Sequence, residues 1–338
     1  MVSEIDNANS ELAMMGSSSA DKERKKSEKK INADHHTPNN DDTHRVNIDS
    51  AMADDPNYDT DSEKATCEEY FDVPLWRECI GEILGTMTLV AFGDGVVGQI
   101  VISDGGAGNY TNIALTWGMA VTAGIYVSKG TSLSHLNPAV TFSFALLRQF
   151  PWKKVIPYMI SQLFGAFVGA VLVWSVYFPG KDDSYYTQET AGVFSTYPAA
   201  NATNLNCFWT EVVGTALLMA GILTVSEVRS KTPTMPDWLT PIMVGGVVVI
   251  IGMSFGFNSG YAINPARDLG PRLVAMMCGW GTDPFTWDDY YFWIPIVAPM
   301  IGGPIGSFLY ELLLGMHYKR DIKPVTSRDR RTPVDNAC

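Results

Sequence analysis

The sequence predicts an all-α membrane protein with six transmembrane helices and two re-entrant half-helices arranged as an inverted repeat. Three observations carry this. The body holds six apolar stretches of bilayer length, its Lys and Arg residues fall at alternate connections, and two short motifs recur at an almost constant offset.

Bulk averages hide the architecture. The 338 residues carry a net charge of −12 and are 46% hydrophobic, with a mean hydropathy of +0.03. Half of the 36 acidic residues but only 8 of the 24 basic ones lie in 1–73. Just 25 charged residues remain among the 243 positions of 74–316. That excludes a strongly acidic folded domain, and the missing basic face excludes a nucleic-acid partner. Residues 1–73, rich in Ser, Asn, Asp, Lys and Glu, cannot bury enough apolar surface to offset their ordering entropy and are predicted to be a disordered tail. The run 21–30 carries six basic residues; it reads as a solvated mixed-charge stretch, with contact to anionic lipid as the alternative. No apolar segment near Met1 resembles a cleavable signal. Residues 317–338 form a basic tail.

The apolar stretches lie near 77–101, 112–129, 155–178, 208–226, 239–257 and 291–316, each close to the ~20 residues that cross a bilayer. Gly and Pro inside them are tolerated where neighbouring backbones approach closely. Arg77, Lys129, Arg148, Lys153, Lys154, Arg229 and Lys231 mark one set of connections. The other set carries Lys181 with Asp104, Asp182, Asp183, Asp283, Asp288 and Asp289. By the positive-inside rule both termini are cytoplasmic. Two glycosylation sequons, at Asn109 and Asn201, fall on the opposite side. Cys67, Cys79, Cys207, Cys278 and Cys338 are too scattered for a disulfide scaffold or a zinc site; neither a metal nor a cofactor is expected.

The halves of the body, about 74–178 and 208–316, echo each other. Glu82-Ile-Leu-Gly-Thr86 matches Glu211-Val-Val-Gly-Thr215, 129 residues on, and Asn137-Pro138-Ala139 matches Asn264-Pro265-Ala266, 127 on. Three helices per half invert the second copy, which places a site at the midplane where equivalent elements meet. Asn at the cap and Pro at the first helical position start a helix, and the apolar runs that follow are too short to span. Irregular backbone at that depth survives where it lines a cavity or is buried in protein. Facing half-helix N-termini put positive partial charge at the midplane, where the amides of Asn137 and Asn264 can donate to a passing oxygen while cations are repelled. Residues 133–136 and 260–263 are expected to be extended, their carbonyls forming an acceptor ladder.

These motifs resemble the major intrinsic proteins, and within them the glycerol facilitators or aquaglyceroporins, over roughly 74–316. The resemblance rests on Ser-His-Leu-Asn-Pro-Ala-Val-Thr (134–141) and Gly-Tyr-Ala-Ile-Asn-Pro-Ala-Arg-Asp-Leu-Gly-Pro-Arg (260–272), with Glu82 and Glu211 in the matching helices. It implies an aquaporin-like fold and a homotetramer in a bilayer, expected to be the plasma membrane. It implies a passive channel for glycerol and other small neutral solutes that also conducts water and excludes protons and ions, and no enzyme. Aligned to the family motifs, Trp117, Gly252, Tyr261 and Arg267 are the selectivity filter. Asn137, Pro138, Ala139, Asn264, Pro265 and Ala266 are the pore midplane, and His135, Glu82, Glu211 and Asp268 are structural supports. Gly252 and Trp117 stand where water-selective members resemble His and Phe, which leaves room for a carbon chain. The alternatives are a water-selective channel and a proton-coupled transporter built on Glu82 and Glu211. Leu133 replaces a usual Gly at the cytoplasmic entrance, Tyr261 replaces a Phe of the best-known bacterial facilitator, and Asp94 is left open between a vestibule residue and an exposed one.

Overall fold

The computed structural model describes residues 73–232 and 234–317. The two tails lie outside the described residues, apart from Val73 and His317. The described chain forms long helices α1 (Leu75–Ile102), α2 (Tyr110–Ser128), α4 (Trp152–Tyr177), α5 (Asn204–Lys231), α6 (Leu239–Phe255) and α8 (Ile294–Tyr310). Between them lie, among other short pieces, the helices α3 (Pro138–Leu146) and α7 (Pro265–Ala275). At nine and 11 residues, these rise about 14 and 16 Å, half of a ~30 Å hydrocarbon core. They are half-helices, as the motifs predict.

Local chemistry sets the boundaries. α2 and α5 each start on a reciprocal capping box, Asn109 with Asn112 and Thr203 with Asn206, which satisfies orphan N–H groups. Arg229 and Lys231 close α5, where cations suit the negative end of the helix dipole. α6, with 17 residues, is as short as α8 and feeds directly into the loop before α7.

The repeat is legible in the packing. α1 lies along α4, and its counterpart α5 lies along α8, while α2 crosses α6. Gly165 and Gly169 of α4 sit against the backbone carbonyls of Ile83 and Met87. Gly302 and Gly306 of α8 sit in the same way against Val212 and Ala216. Any side chain at these four positions would separate the helices, so each seam depends on small residues. At the α2–α6 crossing, Gly118 faces the Gly245 carbonyl and Gly245 faces the Gly118 carbonyl. This reciprocal contact marks the pseudo-two-fold axis. The half-helices trade partners: α3 packs mainly on α8 of the other repeat, and α7 mainly on α4.

At the acidic end, residues 178–203 fold back over the bundle. Phe178, Phe194 and Trp280 meet with ring centroids 5.1–5.4 Å apart, and Trp280 Nε1 donates to the Thr187 carbonyl at 2.9 Å. Asn109 and Asn201 are both exposed at this end.

Candidate functional site

Each half-helix begins on its Asn. Asn137 Oδ1 accepts from Ala139 N at 2.9 Å; Asn264 Oδ1 accepts from Ala266 N and Arg267 N at 3.1 and 3.3 Å. Pro138 and Pro265 take the first helical position, where the missing N–H costs nothing. The two caps are then tied across the axis. Asn137 Nδ2 donates to the Ile263 carbonyl, and Asn264 Nδ2 donates to the Leu136 carbonyl, both at 2.8 Å. One N–H of each amide is thus committed to the opposite repeat, so each Asn has a single hydrogen left for the lumen.

The loops ahead of the half-helices differ from the expected extended form. Ser134 and Leu136 have φ of 55° and 52°, and Tyr261 and Ile263 have 41° and 43°. Positive φ at a bulky residue costs about 1–3 kcal/mol. The compensation comes from Glu82 and Glu211. Alternation of left-handed residues turns successive N–H groups to one side, making a concave anion-binding nest. Glu82 fills the first, accepting from His135 N at 3.0 Å, Leu136 N at 2.7 Å, Ser132 Oγ at 2.7 Å and Gln162 Nε2 at 2.8 Å. Glu211 fills the second, accepting from Ala262 N at 2.8 Å, Ile263 N at 2.7 Å and Ser259 Oγ at 2.7 Å. Charge-assisted bonds of this kind are about twice as strong as neutral ones. His135 is buried between Phe144, Phe150 and Tyr158, its Nδ1 3.2 Å from Thr141 Oγ1.

A cavity of 470 Å³ runs from Leu133 and Thr240 at the basic end, past Asn137 and Asn264, to Trp117, Tyr261 and Arg267. Leu133, 42% exposed, stands in its mouth. At the far end the Arg267 guanidinium lies 4.2 Å from the centroid of the Trp117 ring, and Nη1 is buried with no protein partner. Gly93 of α1 provides the seat for the Trp117 indole. Gly252 does not line the cavity. A Cβ there would lie 2.8 Å from Tyr261 Cζ, so the space left by the missing side chain is taken up by the Tyr261 phenol. Tyr110, which sequence reasoning missed, braces this corner through an Oη bond of 2.9 Å to the Gly252 carbonyl. No motif marks it, because its partner is backbone 142 residues away.

Asp268 does not reach the cavity. Its Oδ1 pairs with Arg272 at 2.9 Å, and its Oδ2 accepts from Thr196 N at 2.8 Å and Thr196 Oγ1 at 2.6 Å. Arg272 in turn donates to the carbonyls of Pro284 and Thr196 at 2.6 and 2.7 Å. The pair fastens the acidic-end loop to α7. Asp94 is neither in the vestibule nor exposed. It is fully buried, because α1 turns position 94 toward the interior along the stripe that holds Thr86 and Val90.

Six crossing helices, two half-helices meeting head to head and a cavity threading between them define a membrane channel. Residues 69–310 match the family described as Major intrinsic protein, and the chain belongs to that family. It is 38% identical over 273 residues to the glycerol uptake facilitator protein of Escherichia coli K12, covering 77% of this chain and 96% of that one. It is 38% identical over 266 residues to Aquaporin-10 of Milnesium tardigradum, covering 72% of this chain and 64% of that longer protein. The structure of the aquaglyceroporin from Plasmodium falciparum superposes with a TM-score of 0.64 at 33% identity, covering 72% of this chain and 98% of the other.

Proposed function

We infer that the chain is a passive channel for glycerol and related small neutral solutes, conducting water as well and excluding protons and ions. One observation carries this reading: the constriction is two-faced. Trp117 and Tyr261 offer ring surface for a carbon backbone, while the guanidinium of Arg267, with Nη1 unpartnered, offers donors to hydroxyls. Gly252 lets the Tyr261 ring sit back, where a larger residue would drive it into the lumen. The relatives named a glycerol uptake facilitator and an aquaglyceroporin point the same way. In this reading Trp117, Gly252, Tyr261 and Arg267 form the selectivity filter. Asn137, Pro138, Ala139, Asn264, Pro265 and Ala266 form the midplane, where the half-helix dipoles repel cations.

Glu82 and Glu211 are supports in this mechanism. Their oxygens are occupied by backbone N–H and hydroxyl donors, which leaves them poorly placed to shuttle protons. No catalytic step is assigned to the chain. The basic connections face the cytoplasm with both termini, and the acidic end, with Asn109 and Asn201 open to glycosylation, faces outward. The working assembly is a homotetramer in the plasma membrane, with 1–73 and 317–338 as cytoplasmic tails.

Proteoliposome swelling in glycerol, urea and sorbitol gradients tests the assignment. The expected result is fast water efflux, glycerol and urea re-entry, and exclusion of sorbitol. Fast water shrinkage without glycerol re-entry would replace the reading by a water-selective channel. Uptake that saturates and follows an imposed pH gradient would replace it by a coupled transporter.

A further inference from the structure

Asp94 is a fully buried carboxylate with neither oxygen hydrogen-bonded to protein. An isolated ionised carboxylate is costly to bury unless it is paired. The same applies to Arg267, which is 8% exposed and whose Nη1 also has no partner. No carboxylate pairs with the Arg267 side chain among the described residues, since Asp268 is committed to Arg272 and Thr196. Asp94 and Arg267 are thus both buried and both left short of protein partners. Asp94 follows Gly93, the seat of the Trp117 ring on which Arg267 lies. It does not line the cavity, so it stands behind the constriction and not in it.

The surroundings suit a charge. α1 and α4 run in register, Gly169 against Val90 and Gly98 against Tyr177, which places Asp94 level with Val173 and Trp174. Trp174 Nε1 is another buried donor with no partner. Two orphaned acceptors on Asp94 thus lie level with the orphaned Trp174 Nε1, beside the Trp117 ring that carries Arg267 with its own orphaned Nη1. Groups beyond direct hydrogen-bond reach but matched in this way are joined by bridging water.

We propose that Asp94 is the counter-charge of Arg267, linked to Nη1 through buried water, and that it positions the guanidinium across the lumen and so sets the size limit of the channel. Asp94 is a positioning residue, since it acts through Arg267 and does not touch solute. The proposal rests on reading Arg267 as part of the constriction. Without the counter-charge the guanidinium loses its anchor behind the wall, keeps only the Trp117 face, and samples a wider range of positions.

The test uses the full chain in proteoliposomes and reads the ratio of glycerol flux to that of a longer linear polyol, in wild type, Asp94→Asn, Arg267→Ala and the double variant. The expected result is a fall in that ratio of about threefold or more in Asp94→Asn, and no further fall when it is added to Arg267→Ala, since coupled residues are non-additive. A wild-type ratio in Asp94→Asn would overturn the proposal. So would an equal fold-change from Asp94→Asn with and without Arg267, which would mark a general packing defect. Should the carboxamide variant fail to insert, Asp94→Ser, uncharged and with room for water, is run through the same cycle with the same criteria. An unchanged ratio in Arg267→Ala alone would refute the constriction and the pairing together. A changed Arg267→Ala with a silent Asp94→Asn would refute the pairing only.

Discussion

Gly252→Ala is the smallest change that should convert this channel's selectivity. An added Cβ would lie 2.8 Å from Tyr261 Cζ and 3.0 Å from Oη, whereas ordinary contact begins at 3.4 Å. The phenol must therefore move by roughly 0.6 Å, an overpacking of the kind that costs about 1–3 kcal/mol. Retreat is blocked. The α6 backbone at Gly256 is close behind, where even a Cβ would meet Tyr261 Cδ1 at 2.6 Å, and the Tyr110 hydroxyl fills the rest of the corner. The ring moves into the lumen, on the side a carbon chain would use. If about 1.4 kcal/mol of that strain is added to the glycerol barrier, glycerol flux falls about tenfold, while single-file water is affected much less. Stopped-flow light scattering on proteoliposomes reads both fluxes in one preparation. Gly246→Ala, on the same helix with open space around its Cβ position, is the control and should match wild type. Unchanged glycerol flux in Gly252→Ala, or an equal loss of water and glycerol, would refute the argument that Gly252 seats Tyr261.

Three further outcomes are expected. Glu211→Ala orphans the N–H groups of Ala262 and Ile263 and the Ser259 hydroxyl, at about 1–3 kcal/mol each; the variant should lose most of its folded yield in membranes, and Glu82→Ala should behave alike, as measured by thermal unfolding in detergent. Arg267→Ala should admit longer polyols and weaken cation exclusion, and a permeability series together with bilayer conductance would show both. Asp268→Asn breaks a fully buried ion pair, a loss of about 3–5 kcal/mol; faster hydrogen exchange at Thr196 N, with the basic-end half of the bundle unaffected, is the signature to look for.

The half-helices were readable because Asn-Pro-Ala is at once a cap, a helix start and a repeat, so one chemical pattern reports position and fold together. Glu82 and Glu211 were readable for the same reason. Their role as supports came with the resemblance, but the way they act did not: an anion-binding nest depends on the φ alternation at Ser134, Leu136, Tyr261 and Ile263, residues with no turn signature of their own, held there by carboxylates about 50 residues away in sequence. The expected extended ladder failed on that point. Asp94 resisted because a lone acid near a helix end reads as solvent-facing unless the partner helix is known. Tyr110 resisted because it binds a backbone carbonyl, which no residue pattern records. Gly252 was expected to leave space for a carbon chain, and that space is taken by the Tyr261 phenol, since a motif can show that a side chain is missing and cannot show which neighbour fills the gap.

The crossed bonds between Asn137 and the Ile263 carbonyl, and between Asn264 and the Leu136 carbonyl, bear on how the channel is made. Neither half can finish its own lumen wall, because the last ligand of each cap comes from the other. During synthesis the first three helices leave the ribosome with an incomplete, water-attracting hook that must wait in the bilayer for its twin. A half on its own leaves one Asn N–H and one loop carbonyl unpaired, so the lumen wall is completed only when the two repeats dock. The permeation path doubles as a checkpoint on the completeness of the polypeptide.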